Sequence, residues 1–142
     1  MIFNKLWLVP ASLLVVGGIA FAATRMSPPA DLDYSLSHLS DAGLYQVTLM
    51  PSVDPVPVGQ MHGWLVEVTG AAGEKLDAAV HFDGGMPQHG HGLPTIPRVT
   101  GRDAEGRYIV GGVRFNMPGW WVLEVDVEGA AGTDTASFNL AL

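Results

Sequence analysis

The sequence predicts an all-β fold, an immunoglobulin-like antiparallel β-sandwich of about seven strands behind an N-terminal signal or anchor helix. Composition is the first indication, because the 142 residues include 18 glycines and 10 prolines and only 15% are charged. The second is the spacing of short runs rich in valine, threonine and aromatic residues, which recur about every ten residues between turn signals. Long helical periodicity is missing after residue 24.

Each predicted strand shows alternation or β-branched residues between breakers. The strands are expected at 44–50, 60–69, 77–82, 98–101, 107–115, 120–127 and 133–140. Alternation is clearest in Trp121, Leu123, Val125 and Val127, which indicates one buried face. Residues 84–97, rich in glycine, histidine and proline, are expected to form a long loop.

The N-terminal sequence predicts an export signal or a membrane anchor. Lys5 precedes 18 uncharged residues that close on Ala20, Phe21 and Ala22, a small-x-small cleavage pattern. The alternative is a retained membrane anchor, since about 20 apolar residues span a bilayer. Both readings put the rest of the chain outside the cytoplasmic membrane, in the periplasm or its equivalent, secreted or tethered. The chain then divides into a signal peptide or anchor (1–23), a linker (24–33) and a β-sandwich domain (34–142).

Charge and cysteine usage exclude several classes of function. The net charge is −7, and removal of residues 1–23 takes away one lysine and no acid, leaving −8. An acidic domain without clustered basic residues does not suit nucleic acid. The absence of cysteine excludes a disulfide scaffold, a thiol enzyme and a lipid-anchored lipoprotein. No nucleophile elbow, phosphate loop or H-E-x-x-H motif is present, so we predict that the protein is not an enzyme.

The predicted loop carries the residues with the most distinctive chemistry. Met86, His89 and His91 fall within six residues, among glycines that let the backbone curl. Imidazole nitrogen and thioether sulfur suit copper, above all Cu(I), better than calcium or magnesium. Met117 lies in a second turn, and the turns of a sandwich cluster at its two ends. We therefore predict a copper ion bound by Met86, His89, His91 and Met117.

Three further residues are weaker candidates for metal ligands. Met61 and His62 form a pair at the start of the second predicted strand, and His81 lies just before the loop. His81 alternates with valine and phenylalanine neighbours, so it is expected to point away from their face. A structural explanation competes with metal binding throughout. In that reading the His-Gly-His tripeptide shapes a turn and the methionines fill the end of the core.

Three segments together resemble a known family. They are Met-Pro-Gln-His-Gly-His-Gly at 86–92, Gly-Arg-Tyr at 106–108 and Gly-Val-Arg-Phe-Asn-Met-Pro-Gly-Trp-Trp-Val-Leu at 112–123. They resemble the YtkA-like family, near the FixH-like proteins, over roughly residues 60–128. The resemblance implies an immunoglobulin-like sandwich outside the membrane, and FixH-like members are associated with copper delivery to, or assembly of, haem–copper oxidases.

Two functions follow as expectations. The first is a periplasmic copper-binding or copper-handling domain that works through the His/Met loop, with a metallochaperone or membrane complex as partner. The second is an interaction or assembly module, without a metal, for a membrane complex such as a respiratory oxidase.

Overall fold

Residues 27–142 are described by a computed structural model and form two antiparallel β-sheets without a helix among the assigned elements. The predicted signal or anchor at 1–23 and the start of the linker lie outside the described residues. Within residues 27–142, no helix has the length and apolar character needed to cross a bilayer.

Nine strands make up the two sheets. They are β1 Ser37–Leu39, β2 Tyr45–Pro51, β3 His62–Gly70, β4 Ala78–Met86, β5 His91–Gly92, β6 Arg98–Arg102, β7 Tyr108–Val113, β8 Trp120–Gly129 and β9 Gly132–Ala141. One sheet has the order β1-β2-β3-β7-β6 and the other β5-β4-β8-β9. All seven predicted strands are present with slightly shifted ends, and β1 and β5 are additional.

The prediction of an unbroken loop over residues 84–97 is wrong in its first half. β4 continues through Met86, and His91 and Gly92 form β5 beside it. Glycine has low β propensity, which hid the end of β4 in the sequence. Glycine is nonetheless needed there, because a Cβ on Gly84 would stand 3.0 Å from the carbonyl oxygen of Val122. The bare backbone allows the strands to approach closely.

The core lies between the inner faces of the two sheets. On β8 the four alternating apolar residues are fully buried, as their pattern predicts. The Trp64 ring of β3 packs on the Phe82 ring of β4, with ring centres 6.1 Å apart. Trp120 points to the opposite face from buried Trp121, where its indole nitrogen donates to Asn139 at 3.0 Å. Removal of such side chains from water, at about 1.5–3 kcal/mol each, is the main stabilising contribution.

Strand directions bring the predicted ligands to one end of the sandwich. Residues 71–77 connect the end of β3 to the start of β4 at one end of the sandwich. The start of β3 and the end of β4 therefore lie together at the other end. β8 pairs antiparallel with β4, with Gly85 opposite Val122, so the start of β8 lies there too. We call this the hairpin end, and it holds His62, Met86 and Trp121.

At the end of the sandwich opposite the hairpin end, the Asp134 carboxylate accepts several hydrogen bonds. Asp134 is buried and accepts hydrogen bonds from the Ser40 hydroxyl at 2.6 Å and from the Ala42 and Leu44 amides at 3.0 and 3.3 Å. The Ser40 hydrogen bond is the main cause that holds the pKa of the Asp134 carboxyl below its ordinary value, against the opposing effect of burial. This contact ties the turn before β2 to β9.

Candidate metal centre

Three of the four predicted ligands lie on the β4–β5 hairpin. Met86 and His91 are direct cross-strand partners, so their side chains project from the same face of the pair. The turn is closed by the amides of His89 and Gly90, which donate to the Met86 carbonyl at 3.0 and 2.9 Å. Gly90 has a φ of +65°, a conformation that glycine adopts without strain. The hairpin thus holds a thioether and two imidazoles together.

The two imidazole rings are close enough to share one ion. The ring centres of His89 and His91 are 5.9 Å apart. A metal–nitrogen bond of about 2.0–2.1 Å, plus about 1.1 Å from nitrogen to ring centre, allows ring centres up to about 6.4 Å apart on one ion. His89 is exposed and His91 is half-buried. The pair is therefore compatible with a shared ion that arrives from solvent.

A backbone carbonyl sets the tautomer of His91. Its Nδ1 lies 3.0 Å from the carbonyl oxygen of Gly92. A carbonyl only accepts, so Nδ1 must carry the proton, and Nε2 of the neutral ring keeps its lone pair. A ring nitrogen tied to a carbonyl in this way is a common arrangement behind metal-binding histidines.

Trp121 links the hairpin to the turn that holds Met117. The indole Nε1 of Trp121 donates to the Met117 carbonyl at 3.1 Å. Its ring meets that of His91 edge to face, with centres 5.8 Å apart. Met86 is only 1% exposed, and its Cε lies 2.8 Å from the point where a Cβ on Gly119 would stand. Met86 thus reaches the turn at 117–119, and the predicted segments meet at the hairpin end.

The three weaker ligand candidates, Met61, His62 and His81, differ in position and burial. His81 is exposed on the outer face of β4, opposite Asp126, whereas Met86 is on the inner face. Met61 is 63% exposed, while its neighbour His62 is buried. Met61 and His62 therefore do not act as a pair, and His62 alone is on the inner face.

Sequence comparison supplies the family. The YtkA-like family profile matches residues 39–126, from the end of β1 into β8, a span that contains all four predicted ligands. The chain belongs to the YtkA-like family. A crystal structure of a DUF4426 family protein from Pseudomonas aeruginosa PAO1 is similar to the YtkA-like domain, with a TM-score of 0.55 and 17% identity. The match covers 75% of this chain and 94% of the DUF4426 chain. At 17% identity it shows similarity of fold alone. A search of curated proteins gave no match.

Within residues 27–142, no three histidine, aspartate or glutamate side chains converge as a metal site. The candidate site consists of methionine sulfur and imidazole nitrogen, a soft donor set. A shallow cavity of about 340 Å³ borders the hairpin, lined by Met86, Pro87, His91 and Glu124 among others, and gives access to it.

The burial of His62 was not predicted from the sequence of the YtkA-like domain. His62 is buried at the hairpin end, with its ring against Phe115 at 5.3 Å between centres. A signal for its burial was present, because His62 continues the inward alternation of Trp64, Val66 and Val68.

Proposed function

We propose that the protein is an extracytoplasmic copper-handling domain that binds Cu(I) through Met86, His89, His91 and Met117. The observation that carries this proposal is the geometry of the hairpin. Met86 and His91 are cross-strand partners, and the ring centres of His89 and His91 are 5.9 Å apart. Thioether and imidazole together favour Cu(I) over hard cations.

The exposure of the ligands supports a role in transfer. His89 is exposed and His91 half-buried, whereas the Met86 side chain is buried behind them. The ion would be captured by the two imidazoles and passed to a partner by ligand exchange at the exposed turn. The acidic surface of the domain, with 14 acidic and 7 basic residues in the chain, would favour the approach of a cation.

A competition titration tests this function. The full chain, purified in mild detergent, is titrated with Cu(I) in the presence of bicinchoninate. The double variant His89→Ala, His91→Ala is expected to bind at least about tenfold more weakly. His38→Ala is the matched control, because His38 also has Nδ1 near a backbone carbonyl, at 3.1 Å, but packs on Phe138 of β9. Equal affinity in wild type and double variant would remove the proposal.

Export and membrane tethering belong to the same proposal, together with the immunoglobulin-like form of the sandwich. Export and tethering are supported by the apolar segment 6–23 and by the small-x-small pattern at its end. N-terminal sequencing of the protein from washed membranes and from the soluble exported fraction distinguishes a retained anchor from cleavage near Ala22 or Ala23. An intact Met1 in cytosol alone would contradict export.

A free sheet edge supports the second candidate function, an interaction module for a membrane complex. β6 is exposed along its whole length and forms the outer edge of its sheet, and the neighbouring Ile96 is 79% exposed. An open edge strand is a surface to which a partner strand can add. Thermal unfolding with and without Cu(I) separates the two functions, because a ligand that binds only the folded state raises the midpoint. An unchanged midpoint at saturating Cu(I) favours the interaction module.

A further inference from the structure

His62 has a buried nitrogen atom with a free lone pair. The side chain is 9% exposed, and its Nδ1 lies 3.1 Å from the Gln60 carbonyl oxygen. Because that carbonyl only accepts, Nδ1 carries the proton, and Nε2 of the neutral ring is an acceptor. Among residues 27–142, Nε2 is one of three buried side-chain polar atoms without a hydrogen-bond partner, with Trp64 Nε1 and Thr95 Oγ1.

A buried acceptor without a partner is unfavourable for folding. Transfer of such a group from water into the core costs free energy that an apolar side chain of similar size does not cost. His62 lies against the Phe115 ring on the apolar inner face, where phenylalanine or leucine would be the better residue for packing alone. The cost would be offset by a species that engages Nε2.

His62 lies at the same end of the sandwich as the groups already proposed to bind copper, and two aromatic rings link it to His91. It starts β3 at the hairpin end, on the sheet that faces Met86 across the core. Phe115 packs on both His62 and Trp121, with ring centres 5.3 and 5.0 Å apart, and Trp121 packs on His91. Met86 is 1% exposed, so its thioether is an inner donor, unlike the exposed imidazole of His89.

We infer that Nε2 of His62 and the thioether of Met86 form a buried inner position for Cu(I), behind the outer pair His89 and His91. This inference rests on the proposed function. The ion arrives at the outer imidazoles and is shared between them and the inner nitrogen and sulfur donors. A soft monovalent cation suits this position, because neutral nitrogen and sulfur donors replace its water. Hard divalent cations would require oxygen ligands instead.

A bridging water is the competing explanation of the free lone pair. Trp64 Nε1 is a buried donor without a partner, and the rings of His62 and Trp64 are 6.4 Å apart. One water that accepts from Trp64 and donates to His62 would satisfy both groups. In that case His62 would have no influence on copper, and the two explanations give opposite results in a titration.

The test compares Cu(I) affinity of the full chain, in detergent with bicinchoninate as competitor, between wild type, His62→Phe and His38→Phe. His38→Phe is the control, since it removes a histidine that packs on Phe138 of β9, a strand that β8 separates from the β4–β5 hairpin. The inference predicts that His62→Phe binds Cu(I) at least about fivefold more weakly and that His38→Phe binds it as wild type does. Without copper, the unfolding midpoint of His62→Phe is expected to equal or exceed that of wild type.

A change of less than fivefold in His62→Phe, with copper binding by wild type intact, overturns the inference and leaves the proposed function standing. Failure of wild type to bind copper overturns both. If His62→Phe does not fold, His62→Leu replaces it. The histidine ¹⁵N spectrum of wild type gives an independent result, because one equivalent of Cu(I) must shift the Nε2 resonance of His62. An unshifted resonance overturns the inference.

Discussion

Met86 and His91 are direct cross-strand partners on β4 and β5, and both project toward the inside of the sandwich. Met86 is fully packed in the core, whereas His91 is half-buried and rests edge to face on Trp121. The pair therefore joins the hydrophobic core to the exposed turn of His89. This relation gives Met86 two separable roles, in packing and in metal binding, and it is the basis for the first prediction.

Met86→Leu separates those two roles. Leucine has nearly the volume of methionine, so the free energy of unfolding is expected to change by less than about 1.5 kcal/mol. Cu(I) affinity is expected to fall at least about tenfold, because the thioether sulfur is gone. Urea unfolding and Cu(I) competition measure the two quantities. Met50→Leu on β2 is the control, and equal copper affinity in both variants would show that Met86 only packs.

Gly119→Ala is expected to destabilise the hairpin end. Gly119 has a φ of +131°, and a Cβ there would stand 2.8 Å from Met86 Cε. Strain and displacement of Met86 should lower the free energy of unfolding by roughly 1–3 kcal/mol. Gly101→Ala on β6 is the control, because a Cβ there meets no atom within 4 Å. Urea unfolding of the two variants checks this, and equal stability would contradict the tight contact with Met86.

Trp121→Phe tests whether the indole holds the two parts of the site together. The variant loses the hydrogen bond from Nε1 to the Met117 carbonyl. We expect unfolding to require about 1–3 kcal/mol less, from the lost hydrogen bond and the smaller ring. Copper affinity should fall as well. Trp120→Phe loses a comparable hydrogen bond to Asn139 on the outer face and should leave copper affinity unchanged. The same loss of copper affinity in both variants would argue against positioning by Trp121.

Acid should weaken the end of the sandwich held by Asp134. The pKa of its carboxyl is lowered in the folded state, chiefly by the Ser40 hydrogen bond. Its contribution to stability is therefore complete above the unfolded value, about 3.9, and is lost as pH falls through the lower folded value. Asp134→Asn is expected to melt at a lower temperature than wild type at neutral pH, and the two melting temperatures should converge below pH 4. Melting curves at several pH values check this, and a constant difference between the variants would contradict it.

Much of the fold could be predicted from alternation and turn residues. Trp121, Leu123, Val125 and Val127 alternate so regularly that β8 and its buried face follow from the sequence. The end of β4 could not be predicted in this way. A Cβ on Gly84 would crowd Val122 of β8, and one on Gly85 would crowd the His91 carbonyl of β5, so glycine is needed at both positions because of neighbouring strands.

The sequence predicted that the histidine and methionine segments meet at one end of the sandwich, but it did not predict the geometry of their side chains. Histidine and methionine at 86–91 are unusual enough to mark the segment, and the turns of a sandwich meet at its ends. The tautomer of His91 and the free Nε2 of His62 depend on carbonyl oxygens whose direction is set by the folded backbone. No pattern in the sequence carries that information, because it arises from local turns rather than from residue type.

X-ray absorption at the copper edge, on the full chain loaded with one equivalent of Cu(I), tests the central claim most directly. The account predicts a mixed coordination shell of imidazole nitrogen and thioether sulfur, with the sulfur contribution reduced in Met86→Leu and the nitrogen contribution reduced in the His89→Ala, His91→Ala variant. A shell of nitrogen and oxygen alone, unchanged in Met86→Leu, would contradict it.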